Sequence, residues 1–421
     1  MNRGTTAATG GRSAARRPVL PMLAPGVVCA ALSTILIAVS TVQPVDLAVY
    51  RASGYSLIHG IGLYGNSFPA ALPFTYPPFA AWPLVVLVPM SWPFAIWWWT
   101  FLTLVLIGWV LARSFAQFLP DRPWQRAAVL AGLICAFSIV VPVSDHIGFG
   151  QINVLLMAVC LADLLGIRPR WLPAGVLIGL AAAVKLVPAI FILYLVITRR
   201  VRTAAIAAAT ALAATGLAYV VRPADSRLYF FDLLWHLDTR VGLGNNATIG
   251  NQSVQGALLR LLPGPAVHPA WLISVLVCLG AGMVGARRAC ALRGEIAGAC
   301  AVGLVAVLVS PVSWTHYLVW MIPAVGVMLG DGKRKSGRRT AVFVYVVLVS
   351  RIHRLGQNLI DRNPAWPLRI VGELSQNGYL LLCIGTVIWL ALRPDSNSRP
   401  WPWQWQWVRR RLQAVNGERP I

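Results

Sequence analysis

The first candidate for chemistry in this sequence is Asp46, in "QPVDLAVYRASG" (43–54), directly after a long apolar run. The chain has only 13 Asp and Glu residues against 36 Lys and Arg, so a carboxylate at such a boundary calls for an explanation. Tyr50 and Arg51 follow at helical spacing. Two interpretations stay open: Asp46 is the N-cap of a short amphipathic helix over 47–58, or it is a functional carboxylate.

Two further candidates are a lysine inside an apolar segment and a histidine between two others. Lys185 lies within the apolar stretch 172–198, where an ammonium is costly unless it is paired or faces a cavity. Pro188 and the Gly/Ala-rich sequence before Lys185 indicate a shaped tip, and we favour contact with a phosphate over snorkelling to the surface. His316, in "SPVSWTHYLVW" (310–320), joins two apolar runs. It is either a structural interfacial histidine or, with Lys185, a partner for an anionic head group.

Polar amides open two further segments. In "FGQINVLLM" (149–157), Gln151 and Asn153 either satisfy free N–H groups at a helix start or help that helix end to bind an anion. In "GNNATIGNQSVQGALLR" (244–260), Asn251 and Gln252 lie in a polar, Gly-rich stretch. We expect these two to donate hydrogen bonds to a polyhydroxylated ligand.

Several common catalytic patterns are absent from the sequence. There is no Walker loop, GxSxG elbow, HExxH or paired CxxC, and the seven Cys show no disulfide framework. The acidic DxD motif is also absent, which argues against a nucleotide-sugar donor held through a divalent ion. We therefore expect neither a metal nor another cofactor.

The composition indicates that these residues belong to a membrane protein. The chain is 57% hydrophobic and 12% charged, with a mean hydropathy of +0.68, as in a polytopic membrane protein. Its formal net charge of +23 is spread between the apolar runs. A nucleic-acid-binding protein would gather that charge in one patch, so we expect no nucleic-acid partner.

The hydropathy pattern predicts an all-α membrane protein with about ten full spans. A cytoplasmic tail (1–21) and a Trp/Arg-rich cytoplasmic tail (394–421) flank the membrane domain, 22–393, whose first span is an uncleaved anchor. We interpret "FTYPPFAAWPLVVLVPM" (74–90), which has four prolines, as an interfacial or re-entrant helix, and 172–198 as a helical hairpin. The spans lie near 22–42, 92–113, 127–143, 151–166, 203–221, 269–286, 295–312, 315–330, 340–356 and 376–393.

The basic loops set the orientation of this map in the plasma membrane. With both termini in the cytoplasm, the Lys and Arg groups between spans fall inside, as the positive-inside rule requires. The long polar connections 43–91 and 222–268 then lie outside, together with Asp46. All six histidines, His236 included, also fall outside or at the outer rim. We therefore expect extracytoplasmic chemistry.

Six sequence blocks between 46 and 323, in this order, resemble one family: "VDLAVY", "LPFTYPPFAA", "FGQINVLLM", "VKLVPAIFILYL", "NQS" and "SPVSWTHYLVWMIPA". They are similar to the polyprenol-phosphate-mannose-dependent α-(1→2)-mannosyltransferases of mycobacteria and related actinobacteria, in glycosyltransferase family 87 of the GT-C superfamily. The resemblance implies a GT-C membrane fold and a polyprenol-phosphate-mannose donor. It also implies a phosphatidylinositol mannoside or lipomannan acceptor in a membrane, and an inverting, metal-independent reaction.

The resemblance also implies roles for particular residues. Asp46 matches the carboxylate of the first external loop and would be the general base. Cations must then stabilise the departing phosphate, and from the residues themselves we expect Lys185 and His316 to do so. Two features differ from the family pattern and bear on acceptor choice: Tyr317 stands where a second His is common, and the loop after Asp46 is short. Further candidates for donor or acceptor binding are Tyr50, Arg51, Tyr76, Gln151, Asn153, His236, Asn251, Gln252 and Trp314.

Three alternatives remain at this point. A mannosyltransferase that branches the lipomannan or lipoarabinomannan core shares several of the blocks. Polyprenol-phosphate arabinofuranosyltransferases share the acidic loop and "YPP" but lack the "SP-SW-H" block. A lipid or polysaccharide transporter belongs to a different class, in which ionisable residues at mid-span and an internal repeat are typical. The sequence shows neither of these features.

Overall fold

The computed structural model describes residues 20–39, 43–65, 68–70, 72–236 and 246–392. This part of the chain is helical, as predicted, and its one β feature is an isolated bridge between Asn251 and Trp314. Helices satisfy their own backbone groups, which a chain in hydrocarbon must do. Residues 1–19 of the predicted N-terminal tail and the whole predicted C-terminal tail, 394–421, lie outside the described residues.

The α-helices are numbered here in chain order. They are α1 (Leu20–Val39), α2 (Val45–Ile58), α3 (Ala81–Leu84), α4 (Trp92–Ser114), α5 (Pro123–Ser138), α6 (Val141–Phe149), α7 (Asn153–Leu164), α8 (Val176–Val184), α9 (Ile190–Ile197), α10 (Val201–Val221), α11 (Pro223–Phe231), α12 (Val254–Leu261), α13 (Gly264–Arg293), α14 (Glu295–Val309), α15 (Met321–Leu329), α16 (Lys335–Val349), α17 (Ile352–Ile360), α18 (Trp366–Gln376) and α19 (Gly378–Leu392). Short 3-10 helices cover Pro78–Ala80, Val85–Leu87, Val187–Ala189, Leu233–His236 and Thr315–Trp320.

Three described helices, α4, α10 and α13, are long and apolar enough to cross a membrane. The count rises to five if the bent pairs α5/α6 (76°) and α18/α19 (63°) are each one span. The predicted count of about ten is therefore not confirmed. Several apolar segments instead form shorter helices, such as α7 with 12 residues and α14 with 15.

One predicted span, 340–356, is interrupted near its end. Helix α16 ends at Val349, and Arg351 adopts a left-handed backbone conformation with φ 51°. A side chain with a Cβ rarely adopts this conformation, and it stops the helix. Helix α17 then starts at Ile352. The C-terminal part of the predicted span is thus a separate, short helix.

Helix α14 is the centre of the bundle, because all residues from 296 to 308 are buried. Gly303 faces the ring of Trp320 so closely that no side chain fits between them. At its start, Glu295 pairs with Arg200 at 2.9 Å. At its end, the chain passes into the segment 310–317. At 1.5 Å per residue, these two ends are roughly 22 Å apart.

The segment 172–198 forms two arms that meet the same end of α10. Gly175, at the start of α8, lies against the backbone of Thr203. Helix α9 ends at Ile197, just before α10 begins. Between the arms, Lys185 is extended, with φ −148° and ψ 132°. The arrangement agrees with the predicted hairpin and places Lys185 at the helix break.

A buried carboxylate fixes the start of this hairpin. Asp163, near the end of α7, accepts hydrogen bonds from the backbone N–H groups of Gly175 (3.0 Å) and Ile178 (3.1 Å). Arg168 lies 3.7 Å from the same carboxylate. Because the first N–H groups of a helix lack internal partners, this contact attaches α8 to α7. The position of Lys185 relative to α7 follows from it.

Candidate active site

A cavity of about 800 Å³ brings together parts of the chain that are far apart in sequence. Its walls come from the start of α2, the loop before α3, helix α6 and the turn after it, and the 310–317 segment. Helix α17 completes the wall. The lining residues are Val45, Asp46, Leu72, Pro73, Thr75, Tyr76, Asp145, Phe149, Gln151, Ile249, Gly250, Trp314, Thr315, His316, Tyr317, His353, Arg354, Gln357 and Asn358.

Asp46 is in the first turn of α2 and is half-buried in the cavity wall. The N-cap residue of α2 is Pro44, so the interpretation of Asp46 as an N-cap is wrong. Its carboxylate accepts a hydrogen bond from the Gln151 side chain. Burial raises the pKa of the Asp46 carboxyl above its ordinary value, although the Gln151 hydrogen bond and the positive charge of Lys185 each lower it in part.

The Gln151 side chain is held from behind by buried aromatic residues. Its Oε1 accepts a hydrogen bond from the Tyr50 hydroxyl at 3.2 Å, and the Tyr50 and Tyr76 hydroxyls are 2.8 Å apart. The Trp99 indole N–H donates to the Gln151 carbonyl oxygen at 3.2 Å. Since Oε1 is an acceptor, the amide nitrogen is the group that faces Asp46. Tyr50 and Gln151 therefore position the carboxylate.

This arrangement needs a glycine next to Gln151. Gly150 ends α6 with φ 70°, and a Cβ at that position would come within 2.7 Å of the Leu47 side chain in α2. A left-handed backbone and a close neighbour both select glycine here. The chain turn at Gly150 thus allows α6 to pack on the start of α2, with Gln151 beside Asp46.

Lys185 does not line the main cavity, but it contacts two tyrosine rings that do. Its ammonium donates to Asn153 Oδ1 at 2.9 Å and lies over the rings of Tyr317 (4.2 Å) and Tyr76 (5.1 Å). Lys185 and Asn153 line a second cavity of about 40 Å³, which is otherwise mostly apolar, and Tyr317 lines both cavities. The Asn153 side chain thus binds Lys185 and does not cap α7. Lys185 makes no ion pair with a carboxylate in the described part of the chain.

His316 lines the main cavity, and its imidazole ring makes no hydrogen bond within the described structure. It is 4% exposed, and both ring nitrogens are buried without a partner. Its ring packs on Phe149 and Tyr317, with centroid distances of 5.5 and 5.0 Å. Buried polar atoms are normally paired, so an unpaired imidazole in a cavity wall is suited to a ligand.

The structure does not bring Arg51 or His236 to the cavity. Arg51 donates to the backbone carbonyl oxygens of Leu87 (3.3 Å), Val88 (3.3 Å) and Met90 (3.0 Å), and so holds the end of a short helix. His236 is exposed and lies 3.6 Å from Asp232. Neither lines the cavity.

Asn251 and Gln252 also lie outside the cavity lining, and the protein itself satisfies their side chains. Asn251 Oδ1 accepts from the backbone N–H of Ser313 (2.9 Å), and its amide donates to the Pro311 carbonyl (3.2 Å). Gln252 donates to the Gln376 carbonyl at 2.9 Å. Both side chains are fully buried. These amides fasten the loop before α12 to the 310–317 segment and to α18.

Two groups in the cavity wall are additional to the residues expected from the sequence. Asp145 of α6 accepts a hydrogen bond from the Thr315 hydroxyl. Helix α17 adds His353, Arg354, Gln357 and Asn358. These four polar residues form two pairs one helical turn apart, a spacing that predicts a helix with a polar side. It was missed in the sequence because an apolar run comes directly before.

A metal site is not evident in the described part of the chain, which contains no cluster of three or more His, Cys, Asp or Glu side chains. The expectation of a metal-independent reaction stays a prediction. The cavity offers instead a carboxylate with a raised pKa, an unpaired imidazole and a buried ammonium nearby. This set can accept a proton and stabilise an anion.

Comparison with known proteins places these features in a family. A model of glycosyltransferase family 87 matches residues 74–311, more than half of the chain. The polyprenol-phosphate-mannose-dependent α-(1→2)-phosphatidylinositol mannoside mannosyltransferase of Mycolicibacterium smegmatis is 36% identical over 310 residues, 66% of this chain and 68% of that protein. The protein of the same name from Mycobacterium tuberculosis is 35% identical over 327 residues, 72% of this chain and 75% of that protein.

A third relative is named for a phosphatidylinositol pentamannoside. This polyprenol-phosphate-mannose-dependent mannosyltransferase of Mycobacterium tuberculosis is 34% identical over 362 residues, 82% of this chain and 81% of that protein. No solved structure matches the chain. The family match covers seven of the 19 residues that line the cavity, from Thr75 to Gly250. The chain therefore belongs to glycosyltransferase family 87 and is a glycosyltransferase.

Proposed function

We propose that the protein is an inverting α-(1→2)-mannosyltransferase that transfers mannose from polyprenol-phosphate-mannose to a phosphatidylinositol mannoside. The main support is that Asp46 and His316 lie in the wall of one cavity, with Lys185 directly behind it. The names of the relatives agree in donor, linkage and acceptor class. They favour this acceptor over the lipomannan core and favour mannose over arabinofuranose.

Asp46 is the base in the proposed reaction. Its carboxylate takes the proton of the acceptor 2-hydroxyl as that oxygen forms a bond to the anomeric carbon of the donor mannose. The bond from this carbon to the phosphate oxygen breaks, and its electron pair leaves with polyprenyl phosphate. A single displacement turns a β-linked donor into an α-linked product. The raised pKa of Asp46 makes it a better proton acceptor than an exposed aspartate, and Gln151 keeps it oriented.

Stabilisation of the leaving phosphate falls to His316 and Lys185. A phosphate monoester leaves without protonation, so positive charge and hydrogen-bond donors suffice. His316 has its nitrogens unpaired at the cavity wall, and Lys185 lies where the main cavity and the smaller apolar cavity adjoin. The sugar of the donor would lie in the main cavity, because the smaller cavity, of about 40 Å³, has no room for a sugar or a lipid chain.

We place this chemistry at the outer face of the plasma membrane. The cavity lies beyond the C-terminal end of α14, while Arg200 and the Arg-rich end of α13 lie at its opposite end. Basic residues favour the cytoplasmic side, so the cavity end would face outward. Both termini would then be cytoplasmic. A transporter remains the contrasting class, and the test below excludes it if mannose is covalently transferred.

The test is mannose transfer by purified protein in nanodiscs. Wild type and Asp46→Asn would be incubated with polyprenol-phosphate-mannose and phosphatidylinositol tetramannoside, and the product mass followed. Asparagine keeps the shape but cannot take the proton, so turnover should fall about 10² to 10⁴-fold. Asp121→Asn, an exposed aspartate remote from the cavity, is the matched control and should keep wild-type turnover. Undiminished turnover in Asp46→Asn would contradict the base assignment. A wild type that mannosylates no mannolipid would contradict the function.

A further inference from the structure

The cavity has a second end that the proposed chemistry does not use. The segment 314–317 runs between the two ends: Tyr317 contacts Lys185, while the Thr315 hydroxyl donates to Asp145. Asp145 and Arg354 of α17 both line the cavity. We call Asp145 and the lining residues of α17 the polar wall, which includes neither Asp46 nor Lys185.

The backbone of α17 holds its polar face toward the cavity. Gly356, on the other side of the helix, lies against the backbone of Gly372 and Gln376 in α18, where a Cβ would collide. This contact packs the two helices closely. Gln357 is fixed as well, because its side chain bonds to Gln376 (2.9 Å) and Asp361 (2.6 Å). The wall is thus a rigid element.

Several polar groups of this wall have unused hydrogen-bonding capacity. Arg354 and Asn358 are exposed and line the cavity, and their side chains make no hydrogen bond or ion pair within the described residues. His353 is 3% exposed, and its Nδ1 is buried without a partner. The carboxylate of Asp145 is held in place by Thr315. Since unpaired buried polar atoms are rare, His353 Nδ1 together with the free side chains of Arg354 and Asn358 suits this wall to a polar ligand.

The chemistry of the wall points to a carbohydrate. A carboxylate, a guanidinium and an amide together accept and donate hydrogen bonds, as pairs of neighbouring hydroxyls require. The Trp314 ring beside them presents an apolar face of the kind that packs on a sugar ring. A cavity of about 800 Å³ is also at the upper end of the usual range for small-molecule sites, about 300–1,000 Å³.

We propose that Asp145, Arg354 and Asn358 form a subsite for the acceptor glycan, which binds the mannose units behind the one that receives the new sugar. This inference rests on the proposed function, because it assigns the second end of the same cavity to the acceptor. It makes α17 a determinant of how long a mannan chain the enzyme accepts. The subsite contributes to acceptor binding and takes no part in proton transfer.

The experiment measures binding separately from turnover. Wild type, Arg354→Ala and Asn358→Ala in nanodiscs would be titrated with phosphatidylinositol tetramannoside, with phosphatidylinositol that carries no mannose, and with polyprenol-phosphate-mannose. Each variant should bind the tetramannoside about tenfold more weakly, as the loss of a hydrogen bond to a charged or polar group predicts. Binding of the donor and of mannose-free phosphatidylinositol should not change. Arg369→Ala, an exposed arginine of α18 outside the cavity, is the control.

Steady-state kinetics supply the second measurement. Arg354→Ala should raise the acceptor KM about tenfold while kcat and the donor KM stay within twofold. Unchanged tetramannoside binding would overturn the subsite, as would an equal loss of affinity for phosphatidylinositol without mannose, which would assign Arg354 to the lipid phosphate. A wild type that binds the tetramannoside but transfers no mannose would contradict the proposed function and leave the subsite standing.

Discussion

The charge of Lys185 affects catalysis through the pKa of Asp46. The carboxyl must be ionised to accept a proton, so activity should fall as the pH drops through its pKa. Burial raises that pKa, and Lys185 and Gln151 partly counteract the rise. The acid limb of kcat/KM should therefore lie above the ordinary range of aspartate, which titrates near about 3.9.

Removal of the Lys185 charge should shift this limb. In Lys185→Met, one of the two influences that lower the Asp46 pKa is lost, so the pKa rises and activity starts to fall at a higher pH. The maximal kcat should also fall, because the leaving phosphate loses a positive charge. The pH profile of kcat/KM measures the shift, with Lys333→Met, an exposed lysine, as the control. A lower kcat with the same pH profile would show that Lys185 does not act on Asp46.

At the level of single residues, short motifs predicted part of the cavity wall. Asp46, Tyr76 and His316 all line the cavity. The sequence indicated them because each is a polar residue in or next to an apolar run. Arg51 has the same features, yet it binds backbone carbonyl oxygens. A sequence does not show whether a polar side chain is satisfied by the protein or by a ligand. That depends on which backbone groups the fold leaves unpaired.

Among the larger elements, the loop that contains Asn251 is the connection most dependent on one side chain. Asn251 serves the Ser313 N–H and the Pro311 carbonyl, and Ser253 caps α12 through the Gly256 N–H at 3.0 Å. Asn251→Ala should lower the free energy of unfolding by about 3 kcal/mol, since buried N–H groups are left unpaired. Thermal unfolding in detergent should show a clear decrease of the apparent Tm.

The control for this prediction is Gln43→Ala, which removes an exposed amide and should leave the Tm unchanged. The acceptor KM of folded Asn251→Ala should stay near that of wild type, because its amide faces the protein interior. An unchanged Tm together with a raised acceptor KM would contradict the structural role. It would favour the direct contact with a polyhydroxylated ligand that the sequence had suggested.

Helix α17 shows why elements are harder to predict than residues. The run before it is apolar up to Val349, and hydropathy alone continues the span to 356. The break depends on Arg351, whose positive φ is set by tertiary packing and has no signature in its residue type. The hairpin 172–198 was predictable because Arg clusters at both ends and Pro188 restricted its path.

For the molecule as a whole, sidedness is the property to test. In a background with the seven native cysteines replaced by alanine, Arg369→Cys on α18 should react with a membrane-impermeant maleimide in intact cells. Arg338→Cys, an exposed residue at the start of α16, should react only after permeabilisation. Basic residues favour the cytoplasmic side, and this gives the expected pattern. The reverse labelling would place the cavity in the cytoplasm.

The predicted number of spans is not confirmed, for a physical reason. Hydropathy reports which segments avoid water, and a segment avoids water equally in lipid or inside the protein. The segments 151–166 and 295–312 were counted as spans, but α7 and α14 are short, and α14 is enclosed by other helices. The prediction of an all-helical fold does not depend on whether a segment lies in lipid or inside the protein, but the predicted number of spans does.

The Tyr317 ring alone stands as a partition between the two cavities that it lines. On one face it borders the polar cavity with Asp46, and on the other the apolar cavity with Phe191. The apolar cavity, of about 40 Å³, is too small for a sugar or a lipid chain, so a donor of the proposed kind would meet only the side of Tyr317 toward Asp46. The Lys185 ammonium would then act on the leaving phosphate across the Tyr317 ring.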